Sequence, residues 1–63
     1  MATDSTIIRK LKKDGWFQAA QRGSHVHFKH DSKKGRVTVP HPKKDLPVGT
    51  IMSIEKISGV KLR

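Results

Sequence analysis

Cysteine is absent from all 63 positions, so a disulfide framework, a thiolate zinc site and a cysteine nucleophile are all excluded. A chain without thiols is compatible with a reducing cytosol. From Met1 to Lys13 there is no apolar stretch of the about 7–15 residues that a secretory signal needs, and nowhere do apolar residues run long enough to span a bilayer. The expectation is a soluble, cytoplasmic protein with no membrane partner. Acids are scarce too, five against 14 Lys and Arg, for a formal net charge of +9. That imbalance favours nucleic acid as the partner, because cations set against phosphates release condensed counterions. Acidic lipids or an acidic protein surface would also suit it.

No internal repeat or low-complexity segment interrupts the chain. With 33% hydrophobic residues it carries enough apolar matter for one modest core, and residues 1–63 are read as a single domain. A domain this small buries only about 60% of the surface that its unfolded chain exposes.

Thr3-Asp4-Ser5 supplies capping side chains ahead of Ile7, Ile8 and Leu11, which share a face at helical spacing. A helix is therefore expected from about Asp4 to Lys13, with Arg9, Lys10, Lys12 and Lys13 outside the apolar stripe and Gly15 ending it. Trp16 to Gln21 reads as a strand, weakened by Ala19 and Ala20. Arg22-Gly23-Ser24 forms a tight turn. His25 to His30 then alternates strictly, sending Val26 and Phe28 to one face and His25, His27 and Lys29 to the other. Asp31 to Gly35 has hairpin-loop composition, and Arg36 to Val39 resumes the alternation with Val37 and Val39 inward. Pro40 and Pro42 stop the ladder, opening a basic loop through Pro47 that carries His41, Lys43, Lys44 and Asp45. Val48, Ile51, Ile54 and Ile57 recur every three residues on a second helix from about Pro47 to Ser58, closed by Gly59. The fold class is α+β, in the order α-β-β-β-α, with two helices on one face of a three-stranded antiparallel sheet.

If Val26 and Phe28 face the core, His25, His27 and Lys29 stand on the uncovered face of the sheet. An imidazole with an ordinary pKa near 6.5 exists in both protonation states at neutral pH and can move a proton during phosphodiester cleavage. In RNA the attacking group would be the adjacent 2′-hydroxyl, so the chemistry requires no metal. The other reading is a surface histidine that contacts phosphate. His25, His27 and His30 spell His-x-His-x-x-His, but alternation turns His30 away, and the first two would need a further ligand to hold a metal. No metal and no cofactor are assigned. Arg22, Lys29, Arg36, Lys43 and Lys44 flank the open face and would hold phosphate oxygens, or else form a solvated basic face. Trp16 and Phe28 are assigned to packing.

Asp14-Gly15-Trp16, Gly23-Ser24-His25 with Phe28, Arg36-Val37-Thr38-Val39-Pro40-His41, and Pro47-x-Gly49-Thr50 leading into Ile54 together resemble the HicA toxins of bacterial type II toxin–antitoxin systems, which are messenger-RNA interferases. The pieces keep the family's order and cover nearly the whole chain. The resemblance implies a double-stranded-RNA-binding-domain-like fold and a toxin with metal-independent endoribonuclease activity on mRNA. It implies that His25, the histidine after Gly-Ser, is the catalytic residue, with Gly23 forming the turn and Ser24 beside it. On that reading Ser24, His27, Lys29, Arg22 and Arg36 bind substrate. It also implies a HicB-type antitoxin that binds the chain and masks the active face. Many relatives carry a second histidine directly after the catalytic one; here Val26 follows, and His27 comes next on the same face as His25. The alternative function is a non-catalytic RNA-binding module of the same fold, and a third possibility is a chain that acts through protein contact alone.

Overall fold

Thr3 starts the first helix, its hydroxyl accepting the backbone N–H of Thr6 at 3.3 Å. In the computed structural model residues 3–42 and 45–63 are described; Lys43 and Lys44, expected beside the open face, lie outside the described residues, as do Met1 and Ala2. Helix α1 spans Asp4–Lys13, as its spacing predicts, and buries Ile7 and Leu11 completely. It ends at Asp14 and then Gly15, whose φ of 104° a side chain would adopt only under strain. A Cβ at Gly15 would also lie 2.8 Å from Nε2 of His30.

Three antiparallel strands follow in spatial order β1-β2-β3: β1 Phe17–Arg22, β2 His25–Lys29 and β3 Val37–Pro40. Each lies within a residue of its expected bounds. The β1–β2 turn is Gly23-Ser24, flanked by the pair Arg22 and His25. Gly23 has φ 60° while Ser24 has a negative φ, the pattern of a type II′ hairpin turn, in which the first central position demands glycine. The register shifts between Gln18 and Ala20, so Ala19 is the extra residue of a β-bulge. The two alanines that weaken the strand pattern are where the ladder is irregular.

Helix α2, Val48–Ser58, begins after Pro47 and closes on Gly59. The stripe predicted for it is corrected at both ends: Ile51 and Ile54 are buried, but Val48 is 59% and Ile57 44% exposed. Each three-residue step falls short of a full turn, so four such residues fan over half the helix circumference and only the middle pair meets the sheet. Their places in the core are taken by Leu46 and Leu62, from the segments flanking α2. The carboxylate of Glu55 folds the tail back, accepting the N–H of Leu62 at 2.8 Å and of Arg63 at 3.2 Å.

Val26, Phe28, Val37 and Val39 join Ile7, Leu11, Trp16, Ile51 and Ile54 in one buried cluster, so both helices pack on the same face of the sheet. They cover β2 and β3. Strand β1 is exposed at every residue, an edge strand that projects beyond the helical layer.

Candidate nucleic-acid interface

The open face of the sheet is set by register. Phe17 pairs with Lys29, Ala20 with His27 and Arg22 with His25 across β1 and β2, while Thr38 pairs with His27 and Pro40 with His25 across β2 and β3. Side chains of directly paired residues stand on the same face. Arg22, His25, His27, Lys29 and Thr38 therefore share the face opposite the helices. His25 is exposed beside the Gly23-Ser24 turn, and Ser24 is tied to the loop after β3 by its carbonyl, which accepts the His41 N–H at 2.6 Å. This bond fixes the turn that presents His25.

His27 is half-buried on that face, its Nδ1 hydrogen-bonded to the Thr38 hydroxyl at 2.9 Å. Two residues along a strand correspond to about 6.6 Å, so His25 and His27 can engage neighbouring groups of one ligand. Arg36 is exposed just ahead of β3, near the Lys29 end of the face. Of the basic residues expected there, Arg22 and Lys29 are on the face, Arg36 is at its border, and Lys43 and Lys44 lie outside the described residues.

His30 goes elsewhere, as alternation predicts. Its Nδ1 accepts the Ser32 N–H at 3.1 Å, so a neutral ring carries its proton on Nε2 and donates it to the Asp14 carbonyl at 2.8 Å. The ring meets Trp16 edge-on with centroids 5.2 Å apart. This histidine joins the end of α1 to the β2–β3 loop. Beside it, Lys33 Nζ donates to Asp14 Oδ2 at 2.6 Å and to the Ser58 carbonyl at 3.0 Å. The Lys33 ammonium holds the Asp14 carboxyl below the usual carboxylate range.

One pairing was not legible in the sequence. His41 Nδ1 hydrogen-bonds the carboxylate of Asp4, which is buried at the start of α1, 37 positions away. The only sequence signal was that His41 closes the motif after Val37-Thr38-Val39-Pro40, which marks the position without naming its partner. Among the described residues, no group of three or more His, Cys, Asp or Glu is placed to hold a metal ion, and no helix is long and apolar enough to cross a membrane.

Fold and face define a small, strongly basic α+β protein that presents histidines and cations on an uncovered sheet. Residues 5–60 match the family model of the HicA toxins of bacterial toxin–antitoxin systems. The chain belongs to that family and is the toxin component of such a system. A search of curated proteins found no match.

Proposed function

We propose that this toxin is an endoribonuclease that cleaves mRNA without a metal cofactor and that His25 moves the proton. The observation that carries the reading is the exposed imidazole of His25 at a glycine-fixed turn, directly opposite Arg22 and on one face with His27 and Lys29. In the reaction, the ribose 2′-oxygen attacks phosphorus and the bond from phosphorus to the 5′-oxygen breaks. One proton leaves the 2′-hydroxyl and one is delivered to the departing 5′-oxygen, giving a 2′,3′-cyclic phosphate and a 5′-hydroxyl. His25 serves as the base or the acid of this exchange. Arg22 and Lys29 hold phosphate oxygens, with Arg36 extending the cationic track and Ser24 and His27 contacting the substrate.

An acidic HicB-type antitoxin would neutralise the toxin by covering this face, where +9 of net charge favours electrostatic association. The test is His25→Ala, a substitution of an exposed side chain that leaves the packing intact. Loss of cleavage by about 10²–10⁴-fold, with an unchanged circular dichroism spectrum and in the presence of excess chelator, is expected. Full cleavage by the folded variant would remove His25 from the mechanism. Tight duplex binding without fragments from the unmodified protein would instead favour a non-catalytic RNA-binding module.

A further inference from the structure

Because neither helix reaches across β1, its helix-side face is open as well. Between it and α1 lies a cleft of about 440 Å³, within the range of small-ligand sites. Arg9 and Lys12 border it from α1, Gln18 and Gln21 from β1, and Ile8 and Val26 supply apolar surface between them. Gln21 pairs directly with Val26, which places both on the helix side, opposite in facing to Arg22 and His25 one residue on. His41, whose imidazole is oriented by Asp4, borders the same space. Among the described residues, no acidic side chain lines it.

We propose that this cleft is a second RNA subsite, which holds a nucleotide flanking the one cleaved on the open face. Arg9 and Lys12 take its phosphate oxygens. The base lies on Ile8 and Val26, with the Gln18 amide and the Gln21 side-chain oxygen at its edge, the Gln21 Nε2 donating to the Gly23 carbonyl at 3.2 Å. The inference rests on the ribonuclease reading for the word flanking, but the binding itself stands apart from it. Two cations alone would suit any anion; two amides around an apolar floor suit a planar heterocycle that carries donors and acceptors on its rim. An acidic peptide would use the cations and leave that floor unfilled. The route is short, since β1 is the edge of the sheet and an RNA strand passing the Gly23-Ser24 turn meets both faces.

Binding is read on uncleaved RNA in the His25→Ala background, with a fluorescein-labelled single-stranded RNA octamer and anisotropy measured across a salt series. Arg9→Gln with Lys12→Gln should weaken binding and flatten the slope of log affinity against log salt by about 0.7, the value for one neutralised phosphate on a single strand. Lys56→Gln with Lys61→Gln removes the same charge from α2 and the tail, and should leave the slope near that of the parent. In parallel, the octamer should shift the NMR signals of the Val26 methyls and the Gln18 and Gln21 side-chain amides. Equal slopes for the two double variants, or no shift at Val26, Gln18 and Gln21, would overturn the subsite. A glutamate octapeptide that shifts those signals more strongly than RNA does would overturn it in favour of a protein ligand. Failure of the unmodified protein to cleave RNA would sink the ribonuclease reading while leaving this binding result standing.

Discussion

Four histidines occupy four different settings, and the settings separate their roles. His25 is exposed beside a turn, His27 is held by Thr38, His30 is locked between backbone groups and Trp16, and His41 is oriented by Asp4. His25 is the one of the four that is exposed, His27, His30 and His41 being half-buried, and the proposed proton transfer is placed there for that reason. His30 instead depends on Gly15, since the close approach of its ring leaves no room for a Cβ there. Gly15→Ala would meet both that clash and a positive φ, and should cost about 1–3 kcal/mol. Urea unfolding measures it, and an unchanged midpoint would show that the α1–β1 connection relaxes without loss.

At the scale of elements, two carboxylates hold the ends of the helices. Asp14, at the end of α1, is kept below its usual pKa first by the hydrogen bond from Lys33. Glu55, on α2, is lowered first by the Leu62 N–H and then by Arg63. Both groups therefore bind protons more readily in the unfolded chain. Their contribution is present above the ordinary carboxylate range, about 3.9 for Asp and 4.3 for Glu, and is lost as pH falls through the lower folded values. The urea midpoint should thus drop as pH is taken from 6 toward 2, and Asp14→Asn with Glu55→Gln should flatten that profile. The same steepness in the double variant would assign the acid sensitivity to other groups. Strand β1 shows the opposite economy: it is held by its ladder to β2 and leaves both faces to solvent. Its unpaired backbone N–H and C=O groups line the open edge of the sheet, while its side chains face the cleft on one side and the histidine face on the other.

For the molecule as a whole, stability rests on one small core. Phe28 is fully buried at its centre, and Phe28→Ala should cost about 3–5 kcal/mol. A chain of this length has only about 3–9 kcal/mol to lose. Thermal unfolding followed by circular dichroism should show the midpoint falling by more than about 10 °C, or no cooperative transition at all. A smaller shift would mean that the neighbouring aliphatic side chains close over the cavity.

Periodicity determined the elements and their order, the bounds of α1, and the division of β2 into a core face with Val26 and Phe28 and an open face with His25, His27 and Lys29. These follow from the sequence because backbone geometry alone fixes side-chain direction within a helix or strand. Tertiary structure decided what no local period encodes. Only the placement of the helices over β2 and β3 left β1 bare and opened the cleft, and only packing turned the outer residues of the α2 stripe to solvent and brought Leu46 and Leu62 inward. The pairing of His41 with Asp4 and the pinning of His30 against Gly15 and Trp16 likewise join residues distant in the chain, whose meeting depends on how the layers stack.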